Sequence, residues 1–378
     1  MKSKLRVLLP LFLCLALLFS SCKLLTSNLP TDFSSVKLIY ENDPSRYYYN
    51  QLSDNGKIAY TLIVNNVSEH PEKVEIPQID EDEFGKVFYA VTYDNPGILC
   101  FGLTSAVESE GNKFFYVPEY SADKDECDRK TNELNTAVSE FLKTVPDNSS
   151  EYEKELLAHD YICDKCTYVY NDGEALKGSS YDAVINGEAV CEGYARAAKL
   201  LLDKLSVINY LICGDATNSD GKTESHMWNI VNIDGKNYHL DLTWDDYDND
   251  GAVVSHSYFN LSDDMIKTNH FNLVPSDNNC VSSDANYFKV NNLMFNDFTK
   301  NEKRIMTSAA VNNVKNNGNE IEICFDNADA LNKAVKNLAD KSGIYDVVND
   351  VNKQCGKKFS SVSYTEDDDV YTVQFVFE

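Results

Sequence analysis

The chain has 378 residues, too many for one average domain and enough for two or three. A hydrophobic content of 43%, with 23 tyrosines and 18 phenylalanines, excludes wholesale disorder. The net charge of −26 excludes electrostatic binding to nucleic acid or to anionic lipid, and by itself it names no partner.

Residues 1–21 stand apart from the rest. Lys2, Lys4 and Arg6 form a positive start, and Val7 to Phe19 is an apolar run of 13 residues. Such a run suits the core of a signal peptide and is too short to span a bilayer as an ordinary helix. It ends in Phe19-Ser20-Ser21-Cys22, which resembles a bacterial lipoprotein signal although Phe19 stands where Leu, Val or Ile is preferred. That resemblance implies cleavage before Cys22, lipid on its thiol, and an extracytoplasmic body anchored to the bacterial membrane. A plain signal peptide and an uncleaved anchor are the alternatives. Removing the three basic residues of the leader leaves a net charge of about −29. Residues 22–35, polar from Thr26 to Ser35, read as a tether.

From 36 to 148 the pattern is mixed α+β. Ile58, Ala59, Leu62, Ile63 and Val67 recur with helical spacing, as do Phe84, Val87, Phe88 and Val91, and later Leu134, Val138, Phe141 and Leu142. Asn95-Pro96-Gly97 signals a turn before a predicted strand at Ile98 to Phe101. Nothing in this region forms a reactive constellation. The character changes from 149 to 275. Ser150 with Glu153 matches a capping box, opening a helix that carries Leu156, Leu157 and Ile162. A short segment at 181–186 precedes Cys191, behind which Tyr194, Ala198, Leu201 and Leu205 share one helical face. Strands are predicted at Ile208 to Cys213, His226 to Ile233 and Lys236 to Trp244. The last region, 283–378, alternates in Ile321 to Phe325 and Val370 to Phe377 around a helical stripe of Leu331, Ala334, Val335 and Leu338. It reads as a small α+β module with a packing or interaction role.

The hairpin carries the most information. Asp234-Gly235 between two apolar strands is a type I′ turn signal. With those residues as the loop, Ile233 faces Lys236, His226 faces Thr243 and Trp228 faces Asp241. His226 and Asp241 then become diagonal neighbours on one sheet face. A carboxylate there would accept the imidazole Nδ1 proton and stabilise the imidazolium. The other face carries Val231, Ile233, Tyr238, Leu240, Leu242 and Trp244, a credible core. Cys191, at the start of a helix, meets the positive end of the dipole and free backbone N–H groups, which favour a thiolate and can hold an oxyanion.

The segment Gly187-Glu188-Ala189-Val190-Cys191-Glu192-Gly193-Tyr194-Ala195 resembles the nucleophile motif of the transglutaminase-like superfamily. His226-Met227-Trp228-Asn229 resembles its His-x-Trp-Asn strand, and Asp241-Leu242-Thr243-Trp244 its Asp-x-Thr-Trp strand. The three occur in family order with gaps of 35 and 15 residues. The helix from Leu156 to Tyr168 and the segment Tyr258-Phe259-Asn260-Leu261-Ser262 also resemble bacterial members. The resemblance covers about 150 to 275 and implies a papain-like α+β core, with Cys on a helix N-terminus and His and Asp on adjacent antiparallel strands. It implies Cys191 as nucleophile, His226 as general base and acid, Asp241 as orienter, and Trp228 and Trp244 as supporting aromatics. The implied chemistry is acyl transfer at an amide or peptide bond through a thioester. Hydrolysis is preferred over transfer to an amine, and the expected partner is a protein or peptide, with cell-wall peptides a candidate. The alternative is a non-catalytic surface binding or scaffold lipoprotein of the same fold.

The remaining features are weighed against metal and disulfide chemistry. Eleven cysteines less Cys14, Cys22 and Cys191 leave eight, which can form disulfides outside the cytoplasm, but their spacings give no pairing. His159, Cys163 and Cys166 would share a helical face, yet no fourth ligand or zinc spacing accompanies them, and core packing or a disulfide is expected. Asp246, Asp248 and Asp250, followed by Gly251, copy the first half of a calcium loop. Ser257 stands where the bidentate Glu belongs, so an acidic surface loop is expected and no cofactor is assigned.

Overall fold

The computed structural model describes residues 31–170, 176–218, 220–246 and 254–378, with nothing said of the side chains of 103 and 104. The predicted leader, Cys22 and most of the tether lie outside the described residues, as do Asp248, Asp250 and Gly251. No helix among the described residues is long and apolar enough to cross a membrane.

The chain folds as α+β around three main cores. In the first, helices Asp54–Asn66 and Glu81–Tyr93 pack on a three-stranded sheet of Val74–Ile76, Lys113–Tyr120 and Phe101–Glu110, in that order. The predicted strand at Ile98 begins later, at Phe101, because Asn95 closes a turn onto the Ile98 amide. Asp80 and Asp123 accept N3 amides at the starts of the second helix and of Lys124–Leu142. Although the Lys124–Leu142 helix falls in the first sequence region, its stripe of Leu134, Val138 and Phe141 belongs to the central core. Cys127 on that helix is disulfide-bonded to Cys100, which ties it back to the first sheet. The other seven described cysteines are free.

The central unit is a five-stranded antiparallel sheet. Its strand order is His270–Val274, Asn209–Thr217, Thr223–Ile233, Lys236–Leu240, Phe259–Leu261. Helices Glu151–Lys165 and Cys191–Lys204 cover one face. The capping box forms as predicted: Glu153 N donates to Ser150 Oγ, and Ser150 N donates to Glu153 Oε2. Tyr194, Ala198, Leu201 and Leu205 are buried as the helical face required. Loss of the Leu201 side chain would cost about 2–5 kcal/mol, transfer energy plus cavity. Cys166 does not share the face of His159 and Cys163. It is the extended residue after the helix ends, and its thiol faces Thr167 O.

A polar joint holds the N-terminal segment to the Cys191 helix. Lys199 is fully buried, with Nζ 3.1 Å from Asp203 Oδ1 and donating to Ser45 O and Asn209 O at 3.0 and 3.2 Å. Arg46 reaches the same Asp203 at 2.6 Å and also donates to Asp94 O.

The third core is a four-stranded sheet in the order Met294–Phe295, Glu320–Phe325, Thr372–Phe377, Val362–Asp367. Helices Lys300–Lys315, Ala328–Val335 and Ile344–Cys355 pack against it. It docks beside the central sheet through buried polar contacts, among them Ser257 Oγ with Thr372 Oγ1 at 2.6 Å and Tyr258 Oη with Asp367 Oδ2 at 3.1 Å.

Candidate active site

The Asp234-Gly235 turn has the two positive φ values a type I′ hairpin needs, 51° and 79°. The ladder runs in the predicted register from Ile233 opposite Lys236 to Asn229 opposite Leu240, and stops there. The predicted strand through Trp244 is therefore wrong at its end. Asp241 leaves the sheet as the N-cap of a short helix, Leu242–Asp245, its Oδ1 accepting from Thr243 N and Trp244 N at 3.0 and 3.3 Å. An Asp that can cap two amides favours that turn over further pairing. The pairs His226 with Thr243 and Trp228 with Asp241 do not form, and Asp241 is not on a strand beside His226.

The two side chains nevertheless meet. His226 Nε2 lies 2.6 Å from Asp241 Oδ2, both side chains buried. The nitrogen is Nε2 and not the expected Nδ1, because the carboxylate arrives from beyond the strand end. Nδ1 is the ring nitrogen not engaged by Asp241, and Cys191 is near enough to favour the protonated ring. Cys191 opens its helix as predicted and is partly exposed. Val190, the residue before it, contributes no side-chain cap, and its carbonyl accepts from Gly193 N at 2.9 Å, so the amides of Cys191 and Glu192 are the ones placed to receive an oxyanion.

Burial works against a charged His226, but the Asp241 carboxylate and the Cys191 contact outweigh it and push its pKa up to about 10. Asp241 is fully buried, which would raise its pKa; the His226 charge and hydrogen bond reverse this and hold it well below the carboxylate range.

The rest of the His-x-Trp-Asn segment sets distances. Asn229 is buried, and its Nδ2 donates to Ala195 O at 3.0 Å, fixing the His226 strand against the Cys191 helix. The Trp228 ring is stacked 5.5 Å from His226, and its Nε1 donates to His239 Nδ1 at 3.0 Å. Gly214, opposite His226, makes room for that indole: a Cβ there would fall 2.8 Å from the Trp228 ring. The hairpin register puts Trp244 on the opposite, core face, while the family resemblance allows it in the pocket or the core. Having left the sheet, it is only partly buried, 6.2 Å from the His226 ring, and lines the cleft.

Two features escaped the sequence reading. His270, on the far edge strand, is buried, with Nε2 3.1 Å from Asp241 Oδ2, so two imidazoles share one carboxylate oxygen. Burial lowers its pKa against the pull of Asp241. Its position beside Asp241 depends on sheet order, and no local signal marks it. The second is the wall of the cleft. A cavity of about 540 Å³ is lined by His226, Thr243 and Trp244, by Tyr168 and Tyr170, and by Asp367, Asp368 and Asp369 of the third core. Asp246 lies along it and accepts from Tyr194 Oη.

No family model matches the chain, and no curated protein does. Among solved structures, a transglutaminase (TGase) is 14% identical, with a TM-score of 0.27, over 48% of this chain and 52% of its own. A candidate cysteine protease from Cytophaga hutchinsonii is 15% identical, with a TM-score of 0.24, over 36% of this chain and 60% of its own. A candidate protease from Parabacteroides distasonis ATCC 8503 is 12% identical, with a TM-score of 0.22, over 35% of this chain and 29% of its own. The chain thus spans less than two thirds of each.

Proposed function

We propose that this chain is a cysteine-nucleophile enzyme of the transglutaminase-like kind, acting on amide bonds of a protein or peptide. The observation that carries the reading is the 2.6 Å contact of His226 Nε2 with Asp241 Oδ2, in a ring whose protonated form is also favoured by Cys191 at a helix start. The Cys191 thiolate adds to the carbonyl carbon, and the first-turn amides of its helix hold the oxyanion. His226 gives its proton to the departing amine as the C–N bond breaks, leaving a thioester on Cys191. Water, deprotonated by His226, then releases the acid and restores the thiol. An amine in place of water would give a cross-link; hydrolysis is the preferred outcome. The body is carried on lipid at Cys22 outside the cytoplasm, and cell-wall peptides are the candidate substrate.

The test is labelling with a thiol-reactive, amide-mimicking probe. Wild type is expected to label at one site, with labelling lost in Cys191→Ala and reduced at least tenfold in His226→Ala. Labelling indifferent to His226 would mean an ordinary thiol on a non-catalytic scaffold. Products formed with and without an added amine separate hydrolysis from cross-linking.

A further inference from the structure

Two histidines outside this site share one carboxylate. His159 Nδ1 lies 2.9 Å from Asp160 Oδ1, and His256 Nε2 lies 3.1 Å from the same oxygen. The other nitrogen of each ring also faces a carboxylate: His159 Nε2 lies 3.1 Å from Asp245 Oδ2, and His256 Nδ1 lies 3.3 Å from Glu322 Oε2. A neutral imidazole has one N–H. Two neutral rings therefore supply two protons to four carboxylate contacts, so the two contacts that converge on Asp160 call for added positive charge, from protons or from a cation. Two protons would make two imidazoliums with centroids 5.3 Å apart, which repel each other. One divalent cation carries the same charge without that repulsion.

The geometry fits the ion. His159 Nδ1, His256 Nε2 and the Asp160 oxygen all lie within 4.8 Å of one another. A tetrahedral zinc-type ion with bonds near 2.0 Å holds its ligands about 3.3 Å apart, close to the two nitrogen–oxygen separations. Each ring then keeps its remaining N–H for the carboxylate behind it, the arrangement that orients histidine ligands and raises their basicity. Those carboxylates are themselves held: Asp245 Oδ1 accepts from Tyr258 N at 2.8 Å, and Glu322 Oε1 accepts from the Ser255 and Ser257 hydroxyls at 2.8 and 3.0 Å. His239 makes an informative contrast. Its Nδ1 accepts from Trp228 and its Nε2 faces Asp263, so a neutral ring satisfies both contacts and no ion is called for.

We propose that His159 Nδ1, His256 Nε2 and Asp160 bind a divalent cation of the zinc class, with Asp245 and Glu322 orienting the two imidazoles. Asp160 is 46% exposed, which leaves room for water in the fourth position. Because Glu322 belongs to the third core, the ion links that core to the central unit.

The full chain, treated with chelator and dialysed, is titrated with Co²⁺ and read by visible absorption, and with Zn²⁺ read by bound-metal stoichiometry and Tm. One equivalent is expected, with tetrahedral cobalt absorption and a raised Tm, all retained in Cys191→Ser. Glu322→Gln is expected to weaken binding about tenfold or more, and Asp160→Asn and His256→Gln to abolish it. Asp160→Asn conserves the shape of a half-exposed side chain, so it remains readable where His256→Gln does not fold. Absence of stoichiometric binding, its survival in Asp160→Asn, or its loss in Cys191→Ser overturns the proposal. The readout does not use the Cys191 chemistry, so failure here leaves the proposed activity standing, and the reverse.

Discussion

Asp241 does more than one job at the residue scale. One oxygen starts a helix turn, and the other receives His226 and His270. Asp241→Asn conserves the shape but offers an amide to one imidazole, so the wrong tautomer follows, and kcat is expected to fall roughly 10³- to 10⁴-fold with KM little changed. Steady-state kinetics on an amide substrate would show it. The pH profile follows from His226, whose pKa is raised to about 10. The imidazolium that would donate to the leaving amine in the proposed reaction persists through neutral pH and is lost as pH rises through that value. The alkaline limb of Cys191 acylation should therefore fall near pH 10, and His226→Ala should abolish that limb. An unchanged limb in His226→Ala would assign the titration to another group. The identities of Cys191, His226 and Asp241 were legible because each sits in a short local motif. His270 has no such motif, since the pairing of its strand with Asn209–Thr217 across the sheet, His270 opposite Ala216, is what brings it beside the site.

At the scale of elements, local chemistry read well where it was self-contained. The Ser150 capping box and the Asp234-Gly235 turn depend on residues a few positions apart, and both form as the sequence predicts. The end of the Lys236–Leu240 strand did not read, because alternation continues through Trp244 while the Asp241 carboxylate captures two amides and turns the chain into a helix. The Cys191 helix is placed by buried polar groups as much as by its apolar face. Lys199→Met removes a buried cation from Asp203 and from two carbonyls. Asp203 keeps Arg46, so the expected destabilisation is about 3 kcal/mol, measured by urea unfolding. A neutral result would show the joint to be dispensable.

The whole molecule assembles its proposed catalytic cleft from two units, with the third core contributing Asp367, Asp368 and Asp369 to the lining that also includes His226. Glu155 of helix Glu151–Lys165 is fully buried, and its Oε2 accepts from Asn260 Nδ2 at 2.7 Å. Burial pushes its pKa up to about 8, with the Asn260 hydrogen bond and His159 opposing. The folded state thus holds a proton that the unfolded chain releases near pH 4.5. Stability from this group is complete below that value and is lost as pH rises through about 8. Glu155→Gln should therefore gain in Tm over wild type as pH is raised from about 5 to 9, and a constant difference would show that Glu155 does not titrate there. By itself the sequence determined which residues are the candidates for the chemistry, the α+β class, the hairpin register and the helix that presents Cys191, because those signals lie within a turn or one hairpin of each other. Only the tertiary structure decided that Nε2 faces Asp241, that His270 shares it, that Cys100 pairs with Cys127, and that two histidines nearly a hundred residues apart converge on Asp160. Those contacts join residues distant along the chain, and their partners are selected by burial of charge and packing of whole elements, which leave no mark on local spacing.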